Sequence, residues 1–247
     1  PILCEAKDFV TGLYDAKGQM LEQTENLPIL AFSLAPVCKY IIEYFEGDIN
    51  EGDVIFHNDV FSMGNQNNDV AVYRPIFFEG ALVAFSAVKG HQADIGGGAA
   101  GTYNSEAREI FHEGLRLPVM KLIAGGETRQ DIWRLLMINT RTAEALDGDL
   151  RAMIGSTKIG ADRITALVEE LGMSQYRDYF EGILEHADRS FRRCVSDMAD
   201  GDYLGEEAID NDCFEPIDDV IRVRLGVKGD ALEVDFTGTA PQVQGFK

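Results

Sequence analysis

The feature that most constrains the fold is a long apolar run at residues 69–90, DVAVYRPIFFEGALVAFSAVKG. Its two halves have the composition of β-strands, and the Glu79–Gly80 pair between them is typical of a tight turn. The run therefore predicts one long β-hairpin. Pro75 has no backbone N–H to donate, so it indicates an edge or a β-bulge on the first arm.

Further hairpins and helices follow from similar patterns. Apolar and polar residues alternate around the turn DAKG within residues 1–25, and around VKGD near the end of the chain. Helical spacing predicts a helix at 33–45, whereas 52–59 is typical of a short strand. The segment SEAREIFHEGLRLP predicts a short helix that Gly114 and Pro118 stop.

Helical periodicity dominates from Thr128 to Gly201 and predicts three or four antiparallel helices. The fold class that follows is α+β, a β-hairpin-rich domain with a helical insertion. We expect a β-rich, site-bearing region at 1–125, a helical subdomain at 126–201, and a β-hairpin region at 202–247. The closing segment DFTGTAPQVQGFK is typical of a strand that leaves into a loop, so we expect a fragment of a larger subunit.

The charge balance excludes several classes of partner. Lys and Arg number 22 against 42 Asp and Glu, which gives a net charge of −20. Because no basic patch stands out, we expect neither a nucleic-acid nor a membrane partner, and no apolar run is expected to span a bilayer. Four scattered cysteines without a CxxC pair indicate reduced thiols and a cytoplasmic protein: Cys4, Cys38, Cys194 and Cys213.

The candidate chemistry lies at the open end of the long hairpin. Asp69 starts the first arm and His91 leaves the second, so a turn at Glu79–Gly80 brings together two side chains 22 positions apart. An imidazole beside a carboxylate suits Mn²⁺, Fe²⁺ or Zn²⁺, with amide oxygens as further ligands. The alternative is that Asp69 caps a turn and His91 is a hydrogen-bonded loop residue.

A glycine loop, DIGGGAAG, follows this hairpin. Backbone N–H groups of Gly96, Gly97 and Gly98 could hold a phosphoryl or carboxylate oxygen. The loop lacks the lysine of a P-loop, however, and a purely structural glycine loop is the alternative.

Three stretches resemble the hydantoinase B family: CEAKDFVTGLYDAKGQMLEQTENLP, GDVIFHNDVFSMGNQNNDVAVYRPIFFEGALVAFSAVKGHQADIGG and EIFHEGLRLPVMKLI. This family includes B subunits of N-methylhydantoinases, the matching half of 5-oxoprolinases, and homologous subunits of acetone and acetophenone carboxylases. The resemblance implies a hydantoinase-A-type partner that handles ATP, together with further small subunits.

The resemblance also implies a metal site made by a His-x-x-Asp element and a later histidine. On this sequence the acid falls on Asp69 and the later histidine on His91, but the first histidine position holds Gln66. An amide oxygen is a poorer donor than imidazole to Mn²⁺ or Zn²⁺. The resemblance therefore implies either a weakly held divalent ion (Mg²⁺, Mn²⁺ or Zn²⁺) or a pocket that binds substrate without metal.

The loss of this imidazole bears on the substrate. Acetone needs strong polarisation of its carbonyl to enolise, whereas an aromatic ketone has more acidic α-hydrogens, so the pattern looks most like the acetophenone carboxylase branch. The expected function is an ATP-dependent ketone carboxylase subunit that joins bicarbonate-derived CO₂ to an enol or enol phosphate. The alternatives are the B subunit of an ATP-dependent N-methylhydantoinase or 5-oxoprolinase, and a non-catalytic scaffold subunit.

Roles for the individual residues follow from that resemblance. Asp69 and His91 would polarise the substrate carbonyl, and the three glycines would bind a phosphoryl or carboxylate oxygen. His57, with Asp59 beside it at a strand end, or Asp94 would be the general base that removes the α-proton. For Asp94 the alternative is a carboxylate that braces its loop by accepting backbone N–H bonds.

Overall fold

A computed structural model describes residues 2–24, 26–101 and 103–245. The chain divides into two compact units, one of Pro1–Tyr103 and Ile110–Asp178, the other of Asn104–Glu109 and Tyr179–Lys247. In chain order the strands are β1 (Phe9–Asp15), β2 (Met20–Gln23), β3 (Val54–His57), β4 (Asp69–Phe78), β5 (Ala81–His91), β6 (Met120–Ala124), β7 (Glu127–Thr128), β8 (Gly201–Asn211), β9 (Pro216–Lys228) and β10 (Ala231–Asp235). The helices are α1 (Pro28–Phe45), α2 (Gln130–Ile138), α3 (Ala143–Leu171) and α4 (Met173–Ser196).

The first unit is built on a seven-stranded antiparallel sheet in the order β2-β1-β5-β4-β3-β6-β7. Alternate residues of the central strands enter two different cores. One core joins α2 and α3 to the face that carries Phe56, Val72 and Val88. The other joins α1 to the face that carries Tyr73 and Phe85. Helices therefore cover both faces of the sheet, which explains why β3, β4 and β5 are apolar without the alternation of a half-exposed strand.

The long hairpin is confirmed, with β4 and β5 paired in antiparallel register from Asp69 and His91 to the turn. Both turn residues have left-handed backbones, with φ of 50° at Glu79 and 78° at Gly80, as two-residue hairpins require. Pro75 lies beyond the part of β4 that pairs with β3, so its missing N–H interrupts no ladder on that side. A register shift follows it at the next two residues.

Two expectations near the ends of the first unit need correction. The first hairpin begins only at Phe9, because Ile2–Ala6 forms a π-helical turn. The short helix predicted from SEAREIFHEGLRLP is a single 3₁₀ turn at Ile110–His112. The residues after that turn are held extended by tertiary hydrogen bonds, since Asn58 bonds the carbonyl of Leu115 and the N–H of Leu117.

Helix α1 begins earlier than expected, at Pro28, where a proline is well tolerated because the first helical N–H has no partner. Within the described part of the chain it is the one helix long and apolar enough to cross a membrane, which corrects the expectation of no such run. One side of this helix packs on the sheet through a buried set of side chains: Leu30, Ala31, Leu34, Val37, Cys38 and Ile41. That packing is typical of a core helix.

The helical stretch contains three helices, but the first two do not form a separate subdomain. Leu146, Leu150 and Met153 of α3 lie in the same core as the sheet residues Val70 and Val72. The two compact units therefore differ from the three regions expected from the sequence, 1–125, 126–201 and 202–247, because α3 packs on β4 and β5.

The second unit contains a three-stranded antiparallel sheet in the order β10-β9-β8. The hairpin of β9 and β10 around VKGD is confirmed, whereas β8 was not anticipated. One face of this sheet is polar, since Arg224 on β9 bonds Asp202 on β8 and Glu233 on β10. The α+β class is thus confirmed in both units.

Candidate functional site

The candidate site lies on the face of the large sheet that α1 covers. Side chains alternate between faces along a strand, and Ile55, Ala71 and Ala87 belong to the α1 core. Every second residue from these lies on the same face, which places there His57, Asp69, Lys89 and His91, all at or near strand ends. The sheet thus collects four polar side chains at one edge of an apolar core.

Asp69 and His91 meet as the hairpin geometry predicts, because they are direct cross-strand partners. The Nδ1 of His91 lies 2.7 Å from Oδ1 of Asp69. A carboxylate can only accept, so Nδ1 carries the hydrogen and the Nε2 lone pair remains for chemistry. The hydrogen bond with Asp69 raises the pKa of His91 although burial opposes it.

A buried lysine belongs to this site and was missed by the sequence reasoning. Lys89 is fully buried, and its Nζ donates to Ser33 Oγ on α1 and, at 2.9 Å, to Asn65 Oδ1. The amide of Asn65 in turn donates to Oδ2 of Asp69. Burial lowers the pKa of Lys89 to about 8, and the charge of Asp69 opposes that shift. The signal available in the sequence was the alternation of side chains along a strand, because Lys89 stands two residues before His91 and so shares its face.

Asp8 is a second residue that the sequence reasoning missed. Its carbonyl accepts the backbone N–H of His91 at 3.0 Å, so Asp8 lies just before β1 and beside the end of β5. Burial raises the pKa of the Asp8 carboxyl, an effect that His91 opposes and Asp69 reinforces. Three ionisable side chains, Asp8, Asp69 and His91, therefore influence one another at this edge.

His57 forms a different cluster with the loop that follows β3. Its Nε2 contacts the carbonyl and the hydroxyl of Ser62 at 3.0 and 3.1 Å. Because a carbonyl can only accept, Nε2 carries the hydrogen, and the buried Nδ1 has no hydrogen-bond partner. Burial and the nearby charge of Lys89 lower the pKa of His57 to about 4. This buried neutral imidazole is poorly placed to take a proton from a substrate.

Asp59 belongs to the same cluster. Its Oδ2 accepts from Ser62 Oγ at 2.8 Å, and its Oδ1 accepts from Arg116 at 3.1 Å. Burial tends to raise the pKa of Asp59, but these bonds, with one from the N–H of Phe61, outweigh it and lower the pKa. A carboxylate stabilised in its charged form by an arginine is a weak base, so the geometry favours a role in positioning the loop.

Asp94 forms a third cluster, in which it braces the glycine loop. Its carboxylate accepts the backbone N–H groups of Gly96, Gly101 and Arg141 at 2.9–3.1 Å, and Nη1 of Arg141 at 3.1 Å. Burial raises its pKa, but these hydrogen bonds outweigh burial and lower it. The structure thus favours the bracing role over the general-base role.

The glycine loop uses its backbone donors internally. The N–H of Gly96 bonds Asp94, and that of Gly98 bonds the carbonyl of His112 at 2.8 Å. A side chain at Gly96 would meet the carbonyl of Asn139 at 2.5 Å, and one at Gly97 would meet backbone at 2.8 Å. The glycines are therefore explained by close backbone packing, and the phosphoryl-binding role finds no free donor at Gly96 or Gly98.

Comparison with known proteins identifies the family. The model of the family described as hydantoinase B/oxoprolinase matches residues 1–247. The chain belongs to the hydantoinase B/oxoprolinase family. It is 35% identical over 241 residues to caprolactamase subunit beta from Pseudomonas jessenii, which covers 98% of this chain and 41% of that subunit. It is 26% identical over 247 residues to the acetophenone carboxylase delta subunit from Aromatoleum aromaticum, and this match covers 96% of this chain and 35% of that subunit.

Two solved structures share this fold. The crystal structure of ATP-dependent caprolactamase from Pseudomonas jessenii superposes with a TM-score of 0.92 at 35% identity, over 97% of this chain and 41% of that one. Nucleotide-free acetone carboxylase superposes with a TM-score of 0.88 at 20% identity, over 99% of this chain and 34% of that one. A likeness at this identity shows the fold alone. The chain thus spans about two fifths of the length of caprolactamase subunit beta.

The metal site that the hydantoinase B resemblance implies does not fit these residues. Asp69 and His91 are hydrogen-bonded to each other, and the side chain of Gln66 is exposed to solvent. Among the described residues no three His, Cys, Asp or Glu side chains converge as a metal cluster. Tight Mn²⁺ or Zn²⁺ sites need at least three such donors.

Proposed function

We propose that this chain is part of a cytoplasmic subunit of an ATP-dependent complex that opens a cyclic amide. The single observation that carries the proposal is the Asp69–His91 pair, which leaves the basic Nε2 of His91 on a side chain that is 14% exposed. The 35% identity to caprolactamase subunit beta over nearly the whole chain supports the substrate class. ATP would be handled by a partner of the hydantoinase-A type, with further small subunits in the complex.

The pair can carry the proton transfers of ring opening. As a water oxygen attacks the carbonyl carbon, Nε2 of His91 takes its proton, and Asp69 stabilises the resulting imidazolium through Nδ1–H. When the ring C–N bond breaks, the leaving nitrogen takes that proton from Nε2. ATP hydrolysis to ADP and phosphate in the partner would supply the free energy for opening a ring whose amide resonance otherwise resists attack.

Substrate-dependent ADP release by the full-length subunit with its partners tests this proposal. We expect caprolactam, a hydantoin or 5-oxoproline to stimulate ADP release without bicarbonate and to yield the open-chain amino acid. Release that requires both a ketone and bicarbonate would overturn the cyclic-amide assignment.

Ketone carboxylation is the second candidate. The observation that favours it is the match to the acetophenone carboxylase delta subunit over 96% of this chain. In that reaction Nε2 of His91 would remove the α-proton of the ketone, and the resulting enol or its phosphate would join bicarbonate-derived CO₂. Acetophenone and acetone, each with and without bicarbonate, therefore complete the substrate series.

Two variants test the pair itself in whichever reaction is found. We expect His91→Ala and Asp69→Asn to lower kcat by about 10²–10⁴-fold, the usual contribution of a positioned acid–base group. His186→Ala is the matched control, because His186 is exposed on α4. Full activity of both site variants would instead support a scaffold role for this subunit.

A further inference from the structure

The buried carboxylate of Asp69 requires a positive charge close by. Its side chain is only 2% exposed, and a buried unpaired carboxylate is strongly unfavourable. His91 supplies that charge only when it is protonated. A metal ion, which the resemblance to the family implies, would find no third His, Cys, Asp or Glu ligand converging on the pair among the described residues.

Lys89 is the cation that the structure places there. Its Nζ reaches Asn65 Oδ1 at 2.9 Å and Ser33 Oγ, and the other end of the Asn65 amide donates to Asp69. Asn65 thus bridges the ammonium group and the carboxylate. The hydroxyl of Ser33 donates a hydrogen bond to the carbonyl of Leu30 at 2.9 Å, so its oxygen can accept one from Lys89.

The oxygen atoms that would ligate a metal ion already accept these hydrogen bonds. Oδ1 of Asp69 accepts from His91, Oδ2 accepts from Asn65, and Oδ1 of Asn65 accepts from Lys89. A divalent ion at this position would have to displace these donors and would lie beside a buried ammonium group. Repulsion between the two cations therefore weakens metal binding as long as Lys89 is charged.

We propose that the ammonium group of Lys89 takes the place of a divalent cation in this site, so that the Asp69–His91 pair works without a bound metal. Lys89 does not contact solvent, so it acts as a positioning residue that holds Asn65 and Asp69 rather than as a group that touches substrate. At position 66 an exposed neutral amide stands where the resemblance to the family implies a ligating imidazole.

Metal binding in a factorial set of variants tests the proposal. The full-length subunit with its partners is prepared as wild type, Gln66→His, Lys89→Met and the double variant, exposed to Mn²⁺ or Zn²⁺, dialysed, and assayed by elemental analysis. We expect no stoichiometric metal in wild type or in Gln66→His. The double variant should retain about one ion per chain, with affinity raised by about 100-fold over Gln66→His.

The controls separate this effect from general loss of charge. Gln66→His combined with Lys121→Met removes a lysine paired with Asp48 and Asp53 elsewhere in the fold, and should bind no more metal than Gln66→His. Gln66→His combined with Lys89→Arg keeps the positive charge and should also stay metal-free. Stoichiometric metal in wild type or in Gln66→His overturns the proposal even if Lys89→Met fails to fold. These readouts do not involve substrate, so they can fail separately from the proposed function.

Discussion

Two histidines on the same face of one sheet have opposite electrostatic surroundings. His91 is bonded to the carboxylate of Asp69, which raises its pKa, whereas His57 is fully buried near Lys89, which lowers its pKa to about 4. Both are strand-end residues of similar sequence context, and both were candidates for catalysis. The neighbours that each side chain meets determine which of them can exchange a proton near neutral pH.

The buried state of His57 predicts a specific loss of stability in acid. Its pKa of about 4 in the folded protein lies below the ordinary value of 6.5, so its contribution to the free energy of unfolding is complete above about pH 6.5 and is lost as pH falls to about 4. We expect His57→Gln to flatten the pH dependence of the free energy of unfolding in that window by about 2–4 kcal/mol. Urea denaturation at several pH values measures this.

Exposed His186 on α4 supplies the control for the acid effect. The same measurement on His186→Gln should reproduce the wild-type slope. Identical slopes for wild type and His57→Gln would show that His57 takes up its proton in the folded protein as readily as in the unfolded chain.

At the scale of elements, α3 is positioned by its close approach to β5. Gly160 faces Ser86, and a side-chain carbon added at Gly160 would lie 3.0 Å from the Ser86 Cβ. Thr157, one turn earlier, accepts a hydrogen bond from Arg74 on β4 at 3.3 Å. A glycine is therefore needed at position 160 because the helix lies so close to the sheet. It does not favour the helix itself, since glycine has a low helix propensity.

A pair of glycine variants in the same helix tests this contact. We expect Gly160→Ala to lower the free energy of unfolding by about 1–3 kcal/mol through overpacking. Gly155→Ala, where an added carbon meets nothing within 4 Å, should raise it by about 0.5–1 kcal/mol through helix propensity. Thermal denaturation of both variants measures the difference. A stabilising Gly160→Ala would mean that α3 does not approach β5 this closely.

The net charge of the whole chain is −20, and its sequence pI is about 4.5. Exposed ion pairs such as Arg224 with Asp202 offset little of the resulting repulsion, because each such pair contributes only about 0–1 kcal/mol to stability. Repulsion between like charges therefore dominates the long-range electrostatics of the folded chain.

This imbalance predicts that salt stabilises the 247-residue chain. Raising NaCl from about 10 mM to about 200 mM shortens the screening length from about 30 Å to below 10 Å, and should raise Tm by several degrees. Choline chloride at equal concentration should have the same effect, which separates screening from specific binding of Na⁺. A fall in Tm would show that ion pairs outweigh the repulsion.

The sequence by itself determined the long hairpin and the meeting of Asp69 with His91. Both follow from a two-residue turn, which sets the register of its arms and so pairs residues equidistant from it. The helices from α1 to α4 were also readable, because helical periodicity is a local property.

Only the tertiary structure decided what these residues contact. Asp94 became a loop brace partly because Arg141, 47 positions later, supplies two of its hydrogen-bond donors. Lys89 entered the site because Ser33 on α1 and Asn65 in the β3–β4 loop, 56 and 24 positions earlier in the chain, both accept hydrogen bonds from it. Local patterns report neither burial nor partners distant in sequence, and in this protein those two quantities determine which acids and bases stay free for chemistry.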